Sequence, residues 1–184
     1  QVLHYLIDLG HPLPTNPNLP YWVSRPDLAE ALPHLTAEGA GPALLLLTDP
    51  DDRMIDRLPR AEQLRVYWRA LFQAAVMRRI DRGAAGSRPP AGGGARLTRF
   101  GPAAAREIRY VLEAEHLAAP DAGDDTRYRA FAAAYLDLAA FDGHAAEQFF
   151  PSLPRGDAVR QMLAEDVDAA ALLAASRPAG AADP

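Results

Sequence analysis

Apolar side chains recur at helical spacing along most of this chain. The pattern is strongest over residues 60–82, where apolar positions follow steps of three and one, the repeat of a wide apolar helix face. This face consists of Leu64, Tyr67, Trp68, Leu71, Phe72, Ala75 and Val76. The spacing predicts a long helix at the centre of the fold, with Trp68, Leu71 and Phe72 buried.

Shorter helical patterns lie on both sides of this segment. Ser24, Pro26 and Asp27 have the pattern of a capping box with an early proline, which predicts a helix from there to about Leu35. Further helices are predicted near residues 1–9, from residue 48 onward, and near residues 102–117, 125–141, 143–150, 157–164 and 168–176.

Glycine and proline mark the breaks between these elements. Residues 10–20 contain four prolines and two asparagines and are expected to form an extended, turn-rich loop. Residues 43–47 are a short apolar run that fits either a buried strand or a helical turn. Residues 83–96 are rich in glycine, proline and alanine, a composition typical of a flexible linker.

These elements predict an all-α fold, an irregular bundle of about seven to nine helices in two lobes. The lobes are residues 1–82 and 99–176, which are joined by a flexible Gly/Pro linker at 83–98 and followed by a tail at 177–184. The start at Gln1 and the Pro/Ala/Gly-rich end lead us to expect a fragment of a larger multidomain protein.

Charge is distributed unevenly along the chain. All nineteen basic side chains are arginine, and thirteen of them fall in residues 53–109 against four acids, a net charge of +9. Residues 1–52 have a net charge of −6 and residues 110–184 of −8, so the total of −5 hides a basic centre between acidic flanks. Such asymmetry indicates either an anionic partner or pairing within the chain. A GC-rich genome explains the absence of lysine but not the uneven placement of arginine.

Composition gives no support to several classes of function. Without cysteine, the chain has no disulfide, thiol nucleophile or cysteine-held metal. No apolar run approaches the roughly 20 residues of a membrane span, and residues 1–9 lack the basic start of a signal peptide. None of the four serines lies in a Gly-x-Ser-x-Gly motif. The sequence contains no recognisable catalytic motif, which favours a non-enzyme over an enzyme, and we expect a cytoplasmic, bacterial-type protein.

Three local motifs have a simpler structural interpretation than a ligand site. Glu113 and His116 have the Glu-x-x-His spacing of carboxylate-bridged metal bundles, but the counterpart at 144–147 is reversed, which favours an ordinary helix end. The aspartates of 49–52 lack the glycine and final glutamate of a calcium loop and fit helix capping. The glycines of 92–94 lack the lysine of a phosphate loop. Because none of the three motifs indicates a ligand site, no metal or cofactor is predicted.

The arginines that flank the apolar face of the central helix are the remaining candidates for a binding site. The predicted partner-binding residues are Arg60, Arg65, Arg69, Arg78, Arg79 and Arg82. We expect a non-catalytic interaction or scaffolding domain, whose partner is a protein or another domain of the same polypeptide. The Pro-rich loop at 11–20 is a second candidate contact surface.

A nucleic-acid contact domain is the alternative function. In that case the arginines of residues 53–109 would bind the phosphate backbone with salt-dependent, sequence-independent affinity. The overall acidity of the chain favours the pairing of these arginines with acidic protein groups instead.

Overall fold

The structure, a computed structural model, describes residues 20–31, 43–47, 57–84, 92–155 and 157–184. The described part of the chain is 65% helical, with eight helices and one two-stranded sheet. The strands are β1 (Tyr21–Ser24) and β2 (Ala43–Leu46), and the helices are α1 (Arg25–Ala31), α2 (Arg60–Ala84), α3 (Gly93–Thr98), α4 (Pro102–Ala114), α5 (Asp124–Phe141), α6 (Ala145–Phe149), α7 (Ala158–Ala164) and α8 (Ala169–Ser176). This architecture confirms the predicted all-α multi-helix fold. The helices predicted at 1–9 and from 48 onward lie outside the described residues.

The small sheet and α1 form the first described unit. β1 and β2 pair antiparallel, with Tyr21 opposite Leu46 and Ser24 opposite Ala43. The apolar run that fitted either a strand or a helix is therefore a strand. α1 begins where the capping box predicts, because the Ser24 hydroxyl accepts a hydrogen bond from the backbone N–H of Asp27 at 3.2 Å and donates one to its carboxylate at 2.6 Å.

α2 is the longest described helix and buries one face along its length. The core residues of this face recur every four positions and are at most 6% exposed: Trp68, Phe72, Val76 and Ile80. α5 supplies the opposing surface, and its last residue, Phe141, meets Trp68 edge to face with ring centroids 5.1 Å apart. The predicted burial of Trp68 and Phe72 is confirmed, whereas Leu71 is only half-buried.

One hydrophobic core extends from α2 to the C-terminal segment. Phe131 on α5 is fully buried, with its ring centroid 5.2 Å from that of Phe100 and 5.3 Å from that of Phe150. α4, α7 and the C-terminal segment each add a residue that is at most 5% exposed: Ile108, Leu163 and Ala181. Residues on both sides of the predicted linker thus share one core, while the domain boundaries themselves stay a prediction.

The segment predicted to be a C-terminal tail packs on the N-terminal half of α2. The backbone N–H of Ala182 donates to the carbonyl of Ala61 at 3.0 Å. The Arg177 guanidinium lies 4.9 Å from the centre of the Trp68 ring and donates to the carbonyl of Ala181 at 2.7 Å. These contacts make the segment part of the packed structure.

α3 lies in the region whose glycine content predicts a flexible linker, so that prediction is wrong for residues 93–98. The helix packs so closely on the start of α5 that a Cβ atom on Gly93 would lie 2.3 Å from the backbone oxygen of Asp124. The backbone N–H of Gly93 donates to the carboxylate of Asp125, and Leu97 is 6% exposed. Glycine here permits close backbone approach rather than chain flexibility.

A polar cluster joins α3, α5 and the residues after α7. Asp166 accepts a hydrogen bond from the Tyr128 hydroxyl at 2.6 Å and forms an ion pair with Arg96 at 2.7 Å. The Arg96 guanidinium also lies 5.0 Å from the centre of the Tyr128 ring. Burial, and then the hydrogen bond to Asp166, raises the pKa of Tyr128 well above its usual range. The cluster therefore contains a neutral phenol beside a paired carboxylate.

Gly93→Ala is expected to lower the free energy of unfolding by about 3 kcal/mol, because its Cβ would collide with backbone atoms rather than with a movable side chain. Gly92→Ala is the matched control, since its Cβ would meet only a carboxylate oxygen of Asp125 at 4.0 Å. Urea denaturation followed by circular dichroism measures both variants. Equal stability of the two would contradict the packing role of Gly93.

Tyr128 predicts how stability changes at alkaline pH. The folded protein holds Tyr128 protonated above the tyrosine pKa of about 10 that applies to the unfolded chain. The unfolded chain therefore releases this proton first, so the free energy of unfolding declines as the pH rises above about 10. Urea denaturation across this range is expected to show a shallower decline for Tyr128→Phe than for the wild type. The same decline in both proteins would show that Tyr128 does not contribute.

Candidate functional site

The six arginines predicted to bind a partner all lie on α2, but in three different settings. Arg60 is exposed at the first residue of the helix. Arg65 and Arg69 lie in the N-terminal half of α2 and contact residues of α5. The last three line a groove near the C-terminal end of α2: Arg78, Arg79 and Arg82. These settings determine which of the positive charges are paired with an acid of the same chain.

Arg69 on α2 forms a partly buried ion pair with Asp137 on α5. Its Nε and Nη2 atoms donate to the carboxylate of Asp137, with a shortest distance of 2.6 Å. The Asp137 side chain is 3% exposed and that of Arg69 is 39% exposed. The hydrogen bond to Asp137 raises the pKa of Arg69 above its usual range. The positive charge of Arg69 is therefore balanced by a carboxylate of the same chain.

Other arginines of the basic centre also contact the C-terminal flank. Arg99 forms two hydrogen bonds to the Glu165 carboxylate, at 2.6 and 2.7 Å, which raise the pKa of Arg99 and lower that of Glu165. Arg109 lies 4.0 Å from Asp124, and Arg65 donates to the backbone carbonyl of Phe141 at 3.2 Å. Part of the central positive charge is thus matched within the chain.

The C-terminal part of α2 lines a groove of about 380 Å³, which also has walls from the β1–β2 sheet and α8. Its apolar lining consists of Trp22, Leu45, Leu71, Ala75, Leu172 and Ala175. Its polar lining consists of Arg78, Arg79, Arg82 and Ser176. We call this surface the arginine groove. It brings the last three of the predicted arginines together with apolar side chains from distant parts of the chain.

Arg78 differs from the other arginines that lie over aromatic rings. Its guanidinium lies 4.2 Å from the centre of the Trp22 ring. The other ring-stacked arginines each have a carboxylate partner as well: Arg69 with Asp137, Arg96 with Asp166 and Arg177 with Asp183. Among the described residues, Arg78 has no such carboxylate partner.

Arg79 and Arg82 extend the positive charge of the arginine groove to the end of α2. Both are exposed, and neither forms an ion pair with an acid in the ranges that the structure describes. Arg82 lies in the last turn, where the carbonyl end of the helix favours a cation. Positive charge and apolar surface therefore adjoin each other at this end of the helix.

The sequence pattern predicts the arginines of the groove and, on the apolar face of α2, Leu71 and Ala75, but it does not predict the apolar lining from the sheet and α8. Trp22 is fixed against α2, because its indole N–H donates to the carbonyl of Ala74 at 3.4 Å. In β1, buried Val23 and half-buried Trp22 lie on opposite faces of the strand, but its sequence Tyr-Trp-Val-Ser has no alternation of apolar and polar residues that predicts this. Leu172 and Ala175 come from α8, and no local pattern connects them to the arginines.

The other sequence motifs do not assemble a ligand site in the part of the chain that the structure describes. There, no group of three or more histidine, aspartate or glutamate side chains could hold a metal ion. Glu113 accepts a hydrogen bond from Arg127 at 3.3 Å, and His116 follows α4 with a φ of 54°. The aspartates at 49–52 and the loop at 11–19 lie outside the described residues.

Comparison with known proteins adds no further candidate site. No family model, curated protein or solved structure matches the chain. None of the helices described is both long enough and apolar enough to cross a membrane. The chemistry of the arginine groove is therefore the basis for assigning a function.

Arg69→Met is expected to lower the free energy of unfolding by about 2 kcal/mol, because it leaves the buried carboxylate of Asp137 without its ion-pair partner. Solvent screening at the half-buried Arg69 keeps the loss below the about 3–5 kcal/mol of a fully buried pair. Arg79→Met, at an exposed position of the same helix, is expected to change stability by less than about 0.5 kcal/mol. Urea denaturation that shows equal losses would contradict the structural role of Arg69.

Proposed function

We propose that this chain is a non-catalytic interaction domain that binds a protein partner through the arginine groove. The observation that supports the proposal is the stacked Arg78, which lacks, within the described residues, the carboxylate that accompanies the other stacked arginines. A surface that combines apolar lining with positive charge suits a partner that presents acidic and apolar side chains together.

The residue types of the groove are those that dominate protein interfaces. Tryptophan and arginine are enriched among the residues that contribute most to binding, and Trp22 and Arg78 are in direct contact. Leu71 and Leu172 are only half-buried, so a partner would remove further apolar area from water. The partner is a separate protein or another domain of the same polypeptide, in keeping with a scaffolding role. The cytoplasmic location stays a prediction.

Binding to a nucleic-acid backbone is the alternative, and the charges favour it less. A duplex offers a regular track of phosphates and is bound through several cations along that track. In the described residues Arg96 and Arg99 already contact Asp166 and Glu165, so neighbouring acids would repel phosphate there. A short acidic protein segment needs only the local charge of the arginine groove.

Fluorescence anisotropy with labelled poly-glutamate and labelled single- and double-stranded oligonucleotides tests the proposal. We expect poly-glutamate to bind with an affinity that falls as the salt concentration rises. The triple variant with alanine at Arg78, Arg79 and Arg82 is expected to bind on the order of tenfold more weakly. The matched control is the triple alanine variant of three exposed arginines outside the groove, which removes the same charge: Arg57, Arg106 and Arg155.

The possible outcomes separate the functions. Oligonucleotide binding that exceeds poly-glutamate binding and depends on the groove arginines would support the nucleic-acid alternative. No binding of either probe at about 50 mM salt would contradict both functions. Turnover of a generic ester, phosphoester or peptide substrate, with loss on a single substitution, would contradict the non-catalytic assignment.

A further inference from the structure

We infer that the arginine groove binds an acidic helical segment of its partner through one large apolar side chain and carboxylates on the same face. This inference rests on the proposed interaction function and specifies the chemistry of the partner. It is carried by the lining of the groove, the spacing of its arginines and the stacked position of Arg78 on Trp22.

The arginine groove has room for an inserted side chain. Its volume of about 380 Å³ lies within the range of about 300–1,000 Å³ that is typical of ligand pockets. Small residues line it where α2 and α8 face the cavity, namely Ala75, Ala175 and Ser176. Because these side chains are short, space remains between the two helices and the sheet. A phenylalanine or leucine from a partner would leave water on entering it.

The arginines match the spacing of carboxylates on a helix. Arg78 and Arg82 are four residues apart on α2, so their Cβ atoms lie on one face about 5–6 Å apart. Two glutamates four residues apart on a partner helix have the same separation, which allows one carboxylate for each arginine. The planar guanidinium group can bind each carboxylate through two parallel hydrogen bonds.

A compact anion such as inorganic phosphate fits this lining less well. It would leave the apolar lining of the groove uncovered. Arg78 is already held over the Trp22 ring at 4.2 Å, so less side-chain freedom is lost when a partner binds. A helix with acidic and apolar groups on one face matches both parts of the lining.

The test uses the complete chain and three labelled helical peptides of about four turns each. The first carries one phenylalanine and, on the same face, two glutamates four residues apart. The second has alanine in place of the phenylalanine, and the third has glutamine in place of both glutamates. We expect the second and third peptides each to bind at least about tenfold more weakly than the first. Inorganic phosphate at the concentration of the peptide carboxylates is expected not to displace the first peptide.

One variant inside the groove and one outside it, both on α8, locate the site. Ala174 and Ala175 are both exposed on α8, but only Ala175 lines the arginine groove. We expect Ala175→Phe to weaken binding of the first peptide by about tenfold and to abolish its advantage over the second. Ala174→Phe is expected to bind like the wild type. Binding should also change the tryptophan fluorescence of the wild type. This change is expected to come from Trp22 in the groove, because the other tryptophan, Trp68, is buried in the core.

Each result has a distinct meaning. Equal binding of the phenylalanine and alanine peptides would overturn the inference but leave the interaction function intact, because charge alone would then account for binding. Unchanged binding to Ala175→Phe, or displacement by phosphate, would also overturn it. Failure of all three peptides and of poly-glutamate would overturn the proposed function as well.

Discussion

The packing of α2 against α5 is the contact on which the rest of the described fold depends. α2 must bury a long apolar stripe, and α5 covers it with Phe141, whose ring meets Trp68 edge to face. The pair of Arg69 and Asp137 crosses the same seam, so a buried carboxylate has its counter-charge only when the two helices are in register. With α5 held in this way, its first residues form the surface against which Gly93 packs.

The sequence allowed prediction of those parts of the fold that depend on local pattern. The repeat of α2 placed Trp68 and Phe72 in the core, because helical periodicity alone determines which positions share a face. The same reasoning failed for α3. A run of glycines indicates conformational freedom, and only the backbone of Asp124, about thirty residues away in sequence, shows that Gly93 is needed for close approach. Contacts of this kind leave no local signature.

The candidate site was predictable in part for the same reason. The arginines of α2 could be named from their positions beside the apolar face, but their roles depend on distant residues. The positive charge of Arg69 is balanced by Asp137, which faces it from α5, whereas Arg78 stacks on the ring of Trp22, a residue of β1. The lining from β2 was hidden, because the short apolar run containing Leu45 had no periodicity that separates strand from helix.

Because these side chains are arginine rather than lysine, one residue type can both stack on an aromatic ring and bind a carboxylate. A guanidinium group is planar and weakly hydrated, so it can lie on an aromatic ring and still direct hydrogen bonds to a carboxylate. At Arg96 both interactions are made within the chain, to Tyr128 and Asp166. At Arg78 the structure describes only the ring. The hydrogen-bond donors of Arg78 are therefore oriented by Trp22 before any acid is present, which is the arrangement that an acidic partner would exploit.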